Sequence, residues 1–334
     1  MAYIKAISCF EPTDLTDNDA LARELPDVDV AKIAKAVGVS RRYIAKEGET
    51  ASDLAYQAAQ NLFSEYAISP STIDFVLFCT QSADYLQPAS ACILQERLGI
   101  PNNAGAFDLD LGCSGWVYGL ATANSFVESR LAGNVLLLTG DTMSRYLHKD
   151  DMNRIVFGDS AAATLVSSEG AVKIGQFVLG TDGKGWDALV IKTGGARHRE
   201  ATGRVETVSG SIGKSTRRDD WLYMDGEAIF NFTLERVPKL FEDTLVKNNI
   251  TRDEIDYCVF HQANRYMLNT DRKLCKIPKE KFYINMDNVG NTTSSTIPIA
   301  LKDCLVRGVI HAGMNVLVAG FGVGLSWAAC VLRF

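Results

Sequence analysis

Ser69–Ser82, SPSTIDFVLFCTQS, and Thr251–Asn264, TRDEIDYCVFHQAN, carry one pattern twice: a turn, then Ile-Asp-aromatic, then an apolar strand that ends in polar residues. Each follows a long stretch of helical periodicity. A second pair, Gly133–Asp141 (GNVLLLTGD) and Gly313–Gly322 (GMNVLVAGFG), recurs further along. Self-similarity of this kind indicates two halves with one architecture, divided here into residues 1–170 and 171–334. Counted from Asp74 and Asp256, Cys113 lies 39 residues on and Asn291 lies 35 residues on. The expected equivalences are therefore Cys79 with His261, and Cys113 with Asn291. A two-fold-like packing of the halves would gather Cys113, His261 and Asn291 at strand carboxyl ends, where α/β sheets collect ligands.

Helical periodicity is read at Asp53–Tyr66, Ser114–Leu131, Gly226–Asn248 and Pro298–Arg307. Apolar strands are read at Ile73–Cys79, Asn134–Thr139, Ala161–Ser167, Asp256–Phe260 and Asn315–Ala319. The alternation predicts an α/β chain with parallel pairing and a sheet covered on both faces. Gly194–Gly213 and Lys214–Asp220 are polar and read as an exposed excursion. From Ala312 to Leu332 no residue is charged, long enough to span a bilayer, but its glycines and period-two pattern predict two buried strands joined by a Gly turn.

Composition sets the remaining bounds. With 334 residues, 47% hydrophobic and 22% charged, there is material for a large core. The formal charge of −6 argues against an obligate nucleic-acid partner. Eight cysteines, at 9, 79, 92, 113, 258, 275, 304 and 330, show no CxxC and no zinc-ligand spacing, and read as reduced thiols. The N-terminus alternates like a strand and carries no apolar signal core, so a cytoplasmic location without membrane attachment is expected.

Cys113, in FDLDLGCSGWVYGL, falls where an apolar strand stops and a helix of small residues begins. Backbone N–H groups and the positive helix end favour thiolate there, which predicts a drop in pKa from about 8.5 towards about 7 and a nucleophile. The other seven cysteines are expected to be inert. His261 ends a strand and is expected to expose its ring to a cleft. Asn291, in NVGNTTSSTIP, sits in a turn before a helix and can donate its amide to a developing oxyanion. The Gly320–Gly324 loop, GFGVG, can bring bare backbone N–H groups, Val323 among them, to a substrate carbonyl. His148, His198 and His311 lack comparable settings.

Over essentially the whole chain these elements resemble the thiolase superfamily and, within it, the β-ketoacyl-[acyl carrier protein] synthase III family. LDLGCSGWVYGL resembles that family's nucleophile motif, VFHQAN its histidine motif, NVGNTTSSTIP its asparagine motif, and AGFGVGLSWAACVLRF its C-terminal glycine loop and last strands. VGVSRRYIA (Val37–Ala45), IVFGDSAAATLV (Ile155–Val166) and YMDGEAIFNFTL (Tyr223–Leu234) add to the match. The resemblance implies a five-layered αβαβα fold of two duplicated halves, a homodimer, and a catalytic set of Cys113, His261 and Asn291. Cys113 would be loaded from an acyl thioester of CoA or of a carrier protein's phosphopantetheine. Its own N–H and that of Val323 would hold the oxyanion, and decarboxylative condensation with a malonyl-carrier would give a 3-oxoacyl thioester. Neither metal nor redox cofactor is implied. Arg42, Asn264, Arg265, Arg272 and Lys273 are the positions matched to carrier or CoA binding.

Departures from the pattern are specific. The Trp and Arg that commonly sandwich the CoA adenine are replaced by Lys32 and Ala36, and two basic carrier-docking positions by Asn231 and Tyr266. Before Pro88, where the family often places a Phe that closes the partner's acyl pocket, stands Gln87. A polar group there suits a functionalised acyl chain better than a purely aliphatic one. Two further readings remain: acyl transfer from Cys113 to an oxygen or nitrogen acceptor, and a non-catalytic binding subunit. Thiolase itself would need a second cysteine near the glycine loop, and neither Cys330 nor Cys304 fits. A hydroxymethylglutaryl-CoA synthase would need an acidic residue that Asp108 and Asp110 do not supply.

Overall fold

The computed structural model of the chain describes residues 1–210 and 213–334, with side chains outside 206–217. Ser211 and Ile212 of the polar excursion lie outside the described residues. Ten strands form the main sheet: β1 (Tyr3–Phe10), β2 (Phe75–Cys79), β3 (Gly105–Leu109), β4 (Asn134–Asp141), β5 (Ser160–Ser167), β6 (Val172–Ile174), β7 (Val178–Thr181), β8 (Tyr257–Phe260), β9 (Asn315–Gly322) and β10 (Ser326–Arg333). Their order is β8-β9-β10-β6-β1-β5-β4-β2-β3, with β7 also on β10. The boundary between residues 170 and 171 falls between β5 and β6.

The sequence repeat is visible bond by bond. Asp74 and Asp256 occupy the same place in the two Ile-Asp-aromatic motifs. The Asp74 carboxylate accepts from Asn134 N–H at 2.8 Å, and that of Asp256 from Asn315 N–H at 2.8 Å. Asn134 donates its amide to Thr72 O, and Asn315 its amide to Glu254 O. These bonds set the parallel register Phe75–Val135 in one arm and Tyr257–Val316 in the other. Beyond β4 and β9 both arms continue antiparallel, into β5 and β10. The sheet is therefore mixed rather than parallel throughout. No crossover helix separates β4 from β5 or β9 from β10, so those strands return beside their neighbours in the opposite direction.

Six helices cover the arms: α1 (Ala51–Glu65), α2 (Ser90–Arg97), α3 (Gly115–Glu128), α4 (Gly226–Lys247), α5 (Arg265–Leu274) and α6 (Thr296–Val306). Residues of α3 and α6 share one apolar core with both arms, Trp116, Val117, Ile297 and Leu301 among them. Outside it, α1 and α2 pack on β2, β4 and β5, and α4 and α5 pack on β8, β9 and β10. The result is the five-layered αβαβα order, with the helices of the nucleophile and asparagine motifs in the buried middle layer. The uncharged C-terminal stretch is β9 and β10, a hairpin buried in the sheet. The helix expected from Pro298 begins two residues earlier, because a proline in the first turn forfeits no intrahelical bond.

One buried group lies apart from this frame. Asp271 on α5 is fully buried, and its carboxyl oxygens make no well-formed hydrogen bond among the described residues, with only the Thr233 side chain opposing the effect of burial. Burial pushes its pKa up to about 7. An unfolded carboxyl titrates near about 4, so folding favours the protonated form. That contribution is complete below about pH 4 and is lost as pH rises through about 7. Asp271→Asn is expected to raise the melting temperature at pH 8 by roughly 2–5 °C and to have little effect at about pH 4, read by thermal denaturation. An equal shift at both pH values would contradict this.

Candidate active site

Cys113 occupies the turn between β3 and α3, one residue before the helix cap Ser114, and is 8% exposed. Strand β9 passes directly over it. A methyl group at Gly320 would stand 2.7 Å from Cys113 O, and one at Gly322 2.7 Å from the Cys113 Cβ and Sγ. Only glycine permits that approach. It aims the Val323 N–H at the sulfur, where the cysteine's own N–H also points. The loop is held by Ser326, whose hydroxyl donates to Val323 O at 2.7 Å and lies 2.7 Å from the Ser114 hydroxyl.

The thiol itself differs from the sequence expectation. Burial pushes its pKa up to about 11, against the pull of the Val323 and Cys113 N–H groups, and the charge of Asp141 adds to the rise. A drop towards 7 requires a partly exposed sulfur, and here desolvation exceeds the help from backbone dipoles. The resting sulfur is a thiol whose charged form has two donors waiting.

His261 follows β8 and donates its N–H to Ala319 O at 2.7 Å. It is 1% exposed, so its ring is walled in rather than open to a cleft. Phe321 stands edge-on to the ring at 6.2 Å, between the two glycines that cover Cys113. Nδ1 shares a 2.7 Å hydrogen bond with the Thr296 hydroxyl, which leaves Nε2 as the ring's free corner. Burial lowers the imidazole pKa to about 3, so the ring is neutral at physiological pH.

Asn291 is pinned by its backbone between Val156 O and Gly158 N–H, at 2.8 and 3.1 Å. Its Oδ1 accepts from Thr293 N–H at 2.9 Å, while Nδ2 has only a long 3.5 Å contact to Ala263 O. The amide retains a donor to give. In helix terms the position matching Cys113 is Ser294, since each directly precedes the cap residue of its central helix, Ser114 or Ser295. Ser294 also lies 38 residues past Asp256, closer to the 39 of Cys113. Asn291 is therefore offset by three residues from the expected equivalence.

Asp141, at the end of β4, was not singled out by sequence reasoning. It is fully buried, and its Oδ1 accepts from Gln81 N–H at 2.7 Å and from the Ser82 and Thr80 hydroxyls at 3.2 and 3.3 Å. Oδ2 accepts from the Ser294 hydroxyl at 3.0 Å and from that of Thr293. One carboxylate thus ties both halves of the chain together beside the cysteine. A carboxylate closing an otherwise apolar strand was the available signal.

The other expected contacts separate into two groups. Arg42 is not on the surface: it is fully buried, and its guanidinium donates to Thr16 O, Asn18 Oδ1 and Ile155 O. A buried, internally bonded guanidinium cannot receive an acidic carrier, which corrects that expectation. Asn264 caps α5 by accepting from Met267 N–H, and Arg272 donates to Ile277 O at the other end of that helix. Arg265 stays partly exposed, 3.8 Å from Asp287, and Lys273 is exposed. Gln87 is exposed on the loop after β2, beside the exposed Tyr85 and Leu86.

Residues 107–183 match the family model described as 3-oxoacyl-[acyl-carrier-protein (ACP)] synthase III, and residues 245–334 match the model of its C-terminal part. A protein of Clostridioides difficile (strain 630) named β-ketoacyl-[acyl-carrier-protein] synthase III is 33% identical over 334 residues, spanning 100% of this chain and 98% of its own length. A 2.1 Å crystal structure of a 3-oxoacyl-(acyl-carrier-protein) synthase III superposes with a TM-score of 0.95 at 45% identity, covering 100% of this chain and 99% of that one. The 3-oxoacyl-(acyl-carrier protein) synthase of Burkholderia xenovorans LB400 gives 0.90 at 32% identity, covering 99% and 93%.

Two measurements check this geometry. Alkylation of Cys113 by iodoacetamide, followed by peptide mass, is expected to rise about tenfold per pH unit from pH 7 to 9; a plateau near pH 7 would contradict a raised thiol pKa. Gly322→Ala is expected to slow that alkylation at least roughly tenfold with the fold intact by circular dichroism, and an unchanged rate would show that the strand does not cover the sulfur.

Proposed function

The chain belongs to the β-ketoacyl-[acyl-carrier-protein] synthase III family, and on that premise we propose the following chemistry for it. The enzyme is an acyltransferase that takes an acyl group from a CoA or carrier thioester onto Cys113. It then condenses that group with a malonyl-carrier, with loss of CO2, to a 3-oxoacyl thioester. The observation that carries the reading is the sulfur held against the Val323 N–H and its own N–H, beside a segment that also fixes His261 and Asn291.

Loading is a transthioesterification. The Cys113 sulfur bonds to the acyl carbon, the bond to the departing thiol breaks, and the proton lost by Cys113 leaves with that thiol. Both N–H groups face the oxygen that becomes negative on the way, and a donor of this kind is worth about 2.7–4 kcal/mol. In the second half the malonyl carbon–carboxylate bond breaks and the electron pair passes into an enolate. Its oxygen needs donors, supplied by Nδ2 of Asn291 and by Nε2–H of His261 when the Thr296 hydroxyl turns its proton from Thr293 O to Nδ1. A neutral imidazole suits this role, because it gives a proton to a hydrogen bond without adding a charge. The enolate carbon attacks acyl-Cys113, and the sulfur leaves as thiolate and regains a proton from solvent. The chemistry draws on no metal or redox cofactor.

The partner and location follow from the same reading. Strand β3 ends the sheet with one edge unpaired among the described residues, and the exposed Tyr85–Gln87 loop lies nearby in sequence; a second copy covering both makes a homodimer, with Gln87 at the partner's acyl pocket. Lys273 and Arg265 are the cations left to meet an acidic carrier. No described helix is long and apolar enough to cross a membrane, in keeping with work in the cytoplasm on carrier-bound chains.

The test separates the two halves of the reaction. After exposure to a panel of acyl-CoA and acyl-carrier thioesters, intact mass should show one acyl group on the wild type and none on Cys113→Ala. His261→Ala and Asn291→Ala should load nearly as the wild type does but lose malonyl decarboxylation at least roughly 100-fold. Equal loss of loading and decarboxylation in these variants, or transfer of the acyl group to a hydroxyl or amine without CO2 release, would overturn the reading. Sedimentation should give twice the chain mass; a monomer would remove the shared pocket.

A further inference from the structure

Thr293 adopts a φ of +51°, a left-handed conformation that a β-branched residue rarely tolerates. Strain of this kind persists only where neighbours over-determine it. Here the Thr293 hydroxyl donates to Asp141 Oδ2, and its N–H donates to the Asn291 side chain at 2.9 Å. Its carbonyl lies 3.1 Å from the Thr296 hydroxyl oxygen and is the alternative acceptor, beside Nδ1 of His261 at 2.7 Å, for that hydroxyl's single proton. Ser294, the next residue, donates to the same carboxylate oxygen. Both enolate donors are thus aimed from one strained residue, and that residue is anchored on one buried carboxylate.

We propose that Asp141 is a positioning residue for decarboxylation: acting through Thr293 and Ser294, its carboxylate holds the segment that orients Asn291 and the His261 ring. The inference rests on the roles proposed above for those two side chains. Five donors converge on the carboxylate, three from Thr80–Ser82 and two from Thr293–Ser294, and only the ionised form accepts from all of them. Burial pushes its pKa up to about 6, held from rising further by bonds from Thr293, Gln81, Ser294 and Ser82. The titratable groups that feel its charge are Cys79 on β2, Cys113 before α3 and Tyr146 after β4, and the charge raises the pKa of each. The nearby Arg145 guanidinium is instead spent on the carbonyls of Lys46 and Glu49.

A positioning role and a merely structural one give opposite signs for loading. Removing the Asp141 charge removes a repulsion that opposes the Cys113 thiolate, so loading should be no slower, while decarboxylation should suffer from misaligned donors. Asp141→Asn, Ser294→Ala and Asn291→Ala are compared with the wild type in two assays: acyl loading by intact mass, and single-turnover release of labelled CO2 from malonyl thioester by enzyme already loaded at Cys113. In the wild type, decarboxylation should fall as pH drops through about 6, with no such limb in loading. Asp141→Asn should load at least as fast as the wild type, lose decarboxylation roughly 30- to 100-fold at pH 7.5, and lack the limb. Ser294→Ala, which removes one bond favouring the ionised form, should move the limb to higher pH, and it decides the matter if Asp141→Asn does not fold. An equal fall of both activities in Asp141→Asn, a limb that persists in it, or a limb unmoved in Ser294→Ala would overturn the proposal. Full decarboxylation by Asn291→Ala would instead remove the reading beneath it.

Discussion

Asp141 ends its strand with a carboxylate that solvent does not reach, and the two halves of the chain meet on its two oxygens. Oδ1 is filled by donors from the loop after β2, Oδ2 by donors from the turn before α6. A buried carboxylate without partners would destabilise the fold by several kcal/mol, so these donors are as necessary to the charge as the charge is to them. The loop and the turn that it joins lie on either side of the nucleophile. Fixing their separation fixes the floor of the site.

The glycines of β9 set the roof. Because Gly320 and Gly322 leave no side chain between strand and turn, the sheet of the second half lies against the nucleophile of the first. Ser326 then holds the carbonyl of Val323, the residue whose N–H meets the sulfur. Duplication explains why such a site exists at all. Each half delivers a strand end and a central helix to the same plane, and the two helices α3 and α6 share one core. The halves have diverged in what they present there: a cysteine with its own N–H from the first, and a histidine, an asparagine and the Val323 N–H from the second.

Much of this was legible in the sequence, and the reason is local. Asp74 and Asp256, with Asn134 and Asn315, repeat because the same hydrogen bonds recur, so the duplication could be read as text before it was seen as structure. The strand ends at Cys79 and Phe260 and the turn at Cys113 followed from apolar runs that stop at polar or glycine residues. What escaped depends on packing between distant segments. Arg42 was matched by resemblance to carrier or CoA binding, yet three acceptors from elsewhere in the chain consume it. The Cys113 thiol was expected to ionise more readily because the helix end is visible in sequence, whereas the desolvation that wins is not. Asp141 escaped because its partners lie about 60 and 150 residues away.

The central claim is that carbon–carbon bond formation at acyl-Cys113 is driven by loss of the malonyl carboxylate. Following malonyl thioester labelled with carbon-13 at its free carboxyl, in the presence of enzyme carrying an acyl group, tests it most directly. All of the label is expected in CO2, in step with one 3-oxoacyl product and one freed Cys113 per turnover. Label retained in the product, or acyl groups leaving Cys113 with no labelled CO2, would contradict it.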